Sequence, residues 1–365
     1  MFTPKSVLVT GGAGFIGSHV VHRLCARYPR CKVVVLDNLS YCASMKNLDD
    51  LSERHAGTFK FVHGDIKSAD LVTYVMENER TDCILHFAAE THVDNSFGNS
   101  FAFTSTNVMG THVLLEAAKR MGSQIKRFVH VSTDEVYGES RGSDAFFEES
   151  VLEPTNPYAA SKAAAEFLAK AYHRSFKVPV VITRGNNVYG PNQYPEKLVP
   201  KFINQMMRGM PLTVHGDGST SRNMLYITDV ADAFITILEH AQPGSTYNIG
   251  GRFEHTVLEI AEAVLAHFGA PRDTHLQFVE DRPFNDTRYH IDHSKLLELG
   301  WQQQVDFSSG LRMTLDWYKA HADHWGSIER ALAPHPKVFG DYATHEPPAL
   351  HFHKRPLSPA RAPDT

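Results

Sequence analysis

Short apolar runs and helix-periodic stretches alternate along the first half of the chain. The runs SVLVT (6–10), KVVVLD (32–37), FKFVHGDI (59–66), TDCILHFAAE (81–90) and RFVHVST (127–133) each close on small or polar residues. Continuous rather than alternating apolar character suits strands covered on both faces of a parallel sheet. Between them GFIGSHVVHRLCARY is amphipathic, and a second helix carries the stripe Val108, Val113, Leu114, Ala117. EPTNPYAASKAAAEFLAKAYHRSF predicts a strong helix, with Thr155 or Asn156 as cap and Pro157 at its first position. Repeated strand–helix units predict an α/β fold, a Rossmann-type doubly wound parallel sheet over residues 1–185. Residues 186–330 read as a smaller mixed α/β lobe. It is interleaved with the first by a strand and helix near 225–240, where Asp229 is a plausible N-cap.

The turn after the first run has chemistry. Gly12, Gly14 and Gly17 match G-x-G-x-x-G between a strand and a helix. The first glycine permits a tight turn, the second lets a pyrophosphate approach, and the third lets helix and strand pack closely. The helix N-terminus adds free N–H groups and a positive dipole end. Asp37 ends the second run twenty residues after Gly17, where an acid accepts from ribose hydroxyls and repels a 2′-phosphate. NAD is therefore the expected cofactor, ahead of NADP. Two roles fit Asp65, which with Ile66 ends the third run: contact with adenine, or capping of the next helix. Ala88 and Ala89 are small enough for a cofactor to pass.

Bulk properties narrow the class. A net charge of -5 over 365 residues gives no basic field for nucleic acid or an acidic membrane. The 22 histidines show no metal-ligand spacing, so no metal is expected. Cys25, Cys31, Cys42 and Cys83 read as reduced thiols of a cytoplasmic protein. No apolar run nears the roughly 20 residues of a membrane span, and no signal peptide is evident.

VSTDEVYG sets Thr133 beside the acids Asp134 and Glu135 at a strand end. Alone, the pair reads first as a solvated edge. Within a strand the two side chains diverge, so both reach one substrate only if the chain leaves strand geometry near Thr133. Tyr158 and Lys162 are four apart on the predicted helix, hence on one face. An ammonium nearby favours tyrosinate and is expected to lower the tyrosine pKa.

TGGAGFIGS, Asp37 and YAASK resemble the extended short-chain dehydrogenase/reductase superfamily, over about residues 5–320. Within it STDEVYG resembles the nucleotide-sugar 4,6-dehydratases, a class of hydro-lyases. Its sister epimerases carry neutral residues where Asp134 and Glu135 stand. The resemblance implies cofactor contacts also at Gly11, Phe15, Ile16, Asn38, Thr106, Tyr158 and Lys162. It implies that Tyr158, aided by Lys162, deprotonates the glucose 4-hydroxyl while Thr133 holds the 4-oxygen. Glu135 then takes the C5 proton and Asp134 protonates the departing 6-hydroxyl. A nucleotide-sugar 4-epimerase and a noncatalytic NAD-binding scaffold are the competing readings.

The same resemblance places substrate contacts at Thr91, Asn187, Lys197, Leu198, Arg222 and Asn248. Arg282 and Arg288 are fork-shaped donors suited to a diphosphate. THVDNSFGNSF, RGNNVYGPNQYPEKLVPKF and DRPFND resemble the dehydratase half of rhamnose synthases, which favours UDP-glucose over dTDP-glucose. A homodimer through the helix of Tyr158 and the long helix before it is the family expectation. Residues 331–365, rich in proline and histidine, read as a disordered tail.

Overall fold

All five residues of the first strand are buried, because helices cover both faces of the sheet it runs through. The computed structural model describes residues 1–140, 144–280 and 288–333. In chain order the strands are β1 (Ser6–Thr10), β2 (Lys32–Asp37), β3 (Phe59–His63), β4 (Cys83–His86), β5 (Arg127–Thr133) and β6 (Val180–Gly185). They continue with β7 (Asn187–Tyr189), β8 (Leu212–His215), β9 (Ser221–Tyr226), β10 (Thr246–Ile249), β11 (Glu254–Thr256) and β12 (Leu276–Val279). Seven of them form one parallel sheet in the order β10-β6-β5-β4-β1-β2-β3.

Strand pleat sorts the side chains into two cores. Val7 and Val9 of β1 face Val20, Val21 and Leu24 of the Phe15–Arg27 helix. Leu8 faces the other way, in a core with Val72, Met76, Leu114 and Leu115. Both layers are close to fully buried, and each such aliphatic side chain contributes about 1.5–3 kcal/mol by leaving water.

The order reverses between β1 and β4, and the register brings carboxyl ends into line. Thr10 pairs with Leu36 and His86, and Thr133 pairs with Gly185. The loops carrying Gly11, Ala88, Asp134 and Asn186 therefore leave one edge together, where ligands bind in open α/β sheets.

After Asn186 the chain leaves the large sheet. It builds a three-stranded sheet, β11-β9-β7, and a parallel pair, β12-β8. These lie over a third core that includes Phe202, Leu212, Ile260 and Leu311. The chain then returns: the Ile227–His240 helix sends Val230, Phe234 and Ile237 into the core of the Phe15–Arg27 helix, and β10 joins β6.

Three local expectations are revised. Tyr226, not Asp229, precedes the Ile227–His240 helix. Asp229 is buried in its first turn and accepts from Val305 N at 2.9 Å, a partner far along the chain. Asp65 does not cap the next helix, whose N-cap is Ser68; its Oδ1 accepts from Lys67 N at 2.8 Å. The helix after the Thr91 loop starts earlier than its apolar stripe, at Ser100, and passes through a π turn at Thr104–Gly110. No helix among the described residues is long and apolar enough to cross a membrane.

Candidate active site

A cavity of about 340 Å³ opens along the carboxyl edge of the large sheet. Its cofactor-facing half begins at Gly11, whose φ of 69° is open to glycine and strained for other residues. A Cβ there would lie 2.5 Å from Ala88 N. A side chain at Gly17 would press into the Gly11 carbonyl. The tight turn therefore falls to Gly11. Gly12 does not line the cavity; its Cα packs on Val35 instead, a correction to its assigned role.

Gly14 caps the Phe15–Arg27 helix without a side-chain bond, so the first-turn amides of Phe15, Ile16 and Gly17 face the cavity unspent by the helix. Asp37 closes β2, accepting from Ala13 N at 2.9 Å and Leu39 N at 2.8 Å. Burial pushes its carboxyl up from the usual range, while these two amides pull it down. Asn38, Asp65, Ile66, Ala88, Ala89 and Thr106 line the same space. A glycine cradle, free helix amides and an acid at the second strand end fit a dinucleotide.

Strand β5 ends at Thr133 and the chain turns at once into a 3-10 turn, Asp134–Tyr137. The Thr133 hydroxyl accepts from Glu135 N at 3.3 Å and caps that turn. Leaving strand geometry sends Asp134 and Glu135 into the same cavity. Asp134 is 3% exposed. Burial, and then the Glu135 charge, push its pKa up to about 7. Hydrogen bonds from Asn186 and Thr133 pull the other way. Glu135 Oε2 accepts from Asn156 Nδ2 at 3.0 Å.

The Pro157–Phe176 helix presents Tyr158, Lys162 and Glu166 on one face, all buried. Lys162 Nζ donates to the Val131 carbonyl at 2.6 Å, and burial brings its pKa down to about 8. The Tyr158 phenol moves opposite to expectation. Burial, and then the Glu135 charge, raise it, against a lowering contact with the Thr133 hydroxyl. The ammonium is committed to the Val131 carbonyl, and the charges that act on the phenol are the carboxylates of Glu135 and Asp134.

Behind these groups lies a second buried set. Arg184 donates to both oxygens of Glu166, with Nη2 2.7 Å from Oε2, and to the Tyr137 hydroxyl at 2.7 Å. This network ties β6 to the tyrosine helix and to the turn of the two acids.

Thr91, Asn187, Lys197 and Leu198 line the cavity's far half, where Lys197 Nζ donates to the Thr91 carbonyl at 2.9 Å. Three substrate assignments do not reach the lining. Asn248 belongs to β10 and is fully buried; its amide serves Tyr137, Phe146 and Asp292, so it is part of the core. Arg288 is bound bidentately by Glu254. Arg222 stacks over Tyr289 at 5.0 Å, yet is near enough that its charge lowers Asp134. Arg282 lies outside the described residues. Asn186, which no sequence motif marks, donates from Nδ2 to Asp134 Oδ2 at 2.6 Å. Its neighbour Asn187 lines the same cavity.

The family model described as GDP-mannose 4,6 dehydratase matches residues 8–314. A trifunctional UDP-glucose 4,6-dehydratase/UDP-4-keto-6-deoxy-D-glucose 3,5-epimerase/UDP-4-keto-L-rhamnose-reductase of Arabidopsis thaliana is 54% identical over 339 residues, 92% of this chain and 50% of that protein. The chain thus spans half the length of that plant relative. Human dTDP-D-glucose 4,6-dehydratase is 45% identical over 337 residues, 91% of this chain and 95% of that protein. A Streptomyces venezuelae dTDP-glucose 4,6-dehydratase solved with NAD bound superposes at a TM-score of 0.83, with 42% identity, 88% of this chain and 99% of that one. A UDP-glucose 4-epimerase of Thermotoga maritima, solved with UDP-glucose, follows at a TM-score of 0.80 with 28% identity, 87% of this chain and 99% of that one.

Proposed function

The chain belongs to the nucleotide-sugar 4,6-dehydratase family, and on that premise we propose that it converts UDP-glucose to UDP-4-keto-6-deoxy-glucose and water, with dTDP-glucose as second substrate. The observation that carries the reading is the convergence of Asp134, Glu135 and Tyr158 on one cavity, with Asp134 holding its proton near neutrality.

The glycine cradle, the Phe15–Arg27 helix amides and Asp37 would hold NAD, which when bound takes the C4 hydride, returns it to C6, and is not consumed. The protein's residues move the protons. Tyr158 Oη takes the proton of the 4-hydroxyl, with Lys162 one turn further along the same helix face. The Thr133 hydroxyl holds the 4-oxygen. The resulting ketone acidifies C5–H, and Glu135 accepts that proton. Asp134 gives its proton to the departing 6-hydroxyl, which leaves as water. Two adjacent carboxyls resist double ionisation, so one can be acid while the other is base.

Two lobes fit this chemistry: residues 1–185 for the cofactor and 186–330 for the sugar nucleotide, with the substrate between them. The higher identity to the UDP-glucose relative supports UDP. Uracil and thymine differ by one methyl, worth about 1–3 kcal/mol of discrimination. Exposed Phe101, Met109, Phe167 and Phe176, on the helix pair expected to pack, support a homodimer. Free thiols at Cys25, Cys31, Cys42 and Cys83 support a cytoplasmic setting.

The fold likeness to a UDP-glucose 4-epimerase supports a second reading, which leaves Asp134 without a task. One assay separates them. The protein is incubated with UDP-glucose or dTDP-glucose without added reductant. A 4-keto-6-deoxy sugar without net NADH is the expected product; UDP-galactose would establish the epimerase, and no turnover of either sugar would leave a scaffold.

A further inference from the structure

Asn186 stands between two groups whose hydrogen-bonding roles are set. On one side the Gly251 main-chain N–H, which can only donate, reaches the Asn186 carboxamide oxygen at 3.2 Å. This contact decides which end of the amide is which. The NH2 must then face the other way, 2.6 Å from Asp134 Oδ2. The Asn186 main chain is anchored as well, its N–H donating to the Ile249 carbonyl at 3.1 Å. The side chain is buried, so water does not offer it another arrangement.

An amide N–H donates only. Asp134 Oδ2 is therefore an acceptor in both charge states, and the proton of the neutral acid sits on Oδ1. Oδ1 accepts from the Thr133 hydroxyl at 3.1 Å, but a hydroxyl, unlike an amide N–H, can turn and accept instead, so Oδ1 is the edge able to carry the proton; the same hydroxyl contacts the Tyr158 phenol. The two edges of one carboxyl thus differ: Oδ2 is turned to the protein, and Oδ1 to the groups that handle the sugar.

We infer that Asn186 is a positioning residue for the elimination step, confining the transferable proton of Asp134 to Oδ1, the oxygen that delivers it to the departing 6-hydroxyl. The inference rests on the dehydratase reading above. In the step itself the Oδ1–H bond breaks as a bond from that proton to the 6-oxygen forms. The C6–O pair leaves with water, the C5–H pair becomes the C5–C6 double bond, and Asp134 is left ionised.

Among the described residues, the charged or titratable groups that act on Asp134 are Glu135 on its own turn, Tyr158 on the Pro157–Phe176 helix and Arg222 on β9. None of them can replace the amide's directional role.

Asn186→Asp and Asn186→Ala test this. Asn186→Asp keeps an acceptor for Gly251 but sets a second carboxyl against Oδ2, drawing the proton to the wrong edge. From UDP-glucose, reduced nicotinamide is expected to form within about threefold of the parent rate, while elimination slows by about 100-fold and the reduced cofactor accumulates. The alkaline limb of kcat should move up by about one pH unit, because a neighbouring carboxylate holds the proton more tightly. Asn186→Ala removes the donor that favours the ionised acid, so its limb also moves up, with a smaller loss of about tenfold. An unimpaired oxidation step reports a folded, loaded protein. Equal losses in both steps with an unmoved limb in both variants would reduce Asn186 to a structural residue and overturn the inference alone. A parent chain that yields no 4-keto-6-deoxy sugar would sink the dehydratase reading and this inference with it.

Discussion

The side-chain amide of Asn156 holds Glu135 with one end and a helix with the other: Nδ2 donates to Glu135 Oε2 at 3.0 Å, and Oδ1 accepts from Ala159 N at 2.8 Å. The helix so capped carries Tyr158 and Lys162. One residue therefore fixes the spacing between the carboxylate proposed to act at C5 and the phenol proposed to act at C4.

Asn156→Ala removes both bonds. Loss of the cap should lower stability by about 1 kcal/mol in urea denaturation. Asn156→Ser keeps a capping oxygen and loses the Glu135 contact, so it should fold like the parent while exchanging deuterium into C5 more slowly. Parental C5 exchange in Asn156→Ser would show that the contact does not matter to the base.

Asp134 sets a pH dependence of rate and of stability. In the acid role proposed for it, it must be protonated, so kcat should fall as pH rises through about 7. Its folded pKa is raised from 3.8, so the folded state binds the proton more tightly than the unfolded chain. Its contribution to stability is complete below the unfolded value and is lost as pH rises through about 7. Asp134→Asn should abolish that slope, leave C4 oxidation working and slow elimination by about 10²–10⁴-fold. Elimination at the parental rate in this variant would rule out the acid role.

Arg184 and Glu166 are 1% and 0% exposed. Arg184→Met leaves Glu166 a buried charge stripped of its bidentate partner, at a cost of about 3–5 kcal/mol in denaturant unfolding. The double variant Arg184→Met, Glu166→Leu should recover part of the loss, since it removes a buried carboxylate left with Lys170 alone, 3.7 Å away. If the single and double variants are equally unstable, the lost contacts to Tyr137 and the Glu148 carbonyl dominate instead.

Gly17→Ala meets backbone rather than a movable side chain, with Gly12 Cα 2.9 Å from the new methyl. The helix must shift from the turn, costing about 1–3 kcal/mol by overpacking. Retention of NAD through gel filtration should fall with it. Undiminished retention would mean that the close approach does not shape the cofactor cradle.

Much of the site was legible because its parts lie close in the chain. The glycines sit within one turn, Asp37 ends the next strand, and Tyr158 and Lys162 share a helix face by the 3.6-residue period. The alternation of strand and helix likewise follows from periodicities that neighbouring residues carry. Asn156 was one of two candidate caps, and geometry selected it over Thr155.

What remained hidden depends on partners distant in sequence. Asn186 meets Asp134 across 52 residues, and nothing local separates it from Asn187. Asn248 lies in a sheet strand only because β10 returns to pair with β6. Arg288 is held by Glu254 across 34 residues. The direction of the Tyr158 shift is hidden for the same reason: a pKa sums burial and every nearby charge, not one helical neighbour.

By itself, then, the sequence determined the alternation of elements and the dinucleotide turn, and it set Asp134, Glu135 and Tyr158 at the spacings from which their acid, base and phenol roles are proposed. Those are properties of composition and spacing along the chain. The tertiary structure decided that Asp134 and Glu135 share a cavity, that Asp134 is buried, and which donors meet its two oxygens. Desolvation and hydrogen-bond direction exist only once distant segments are packed together.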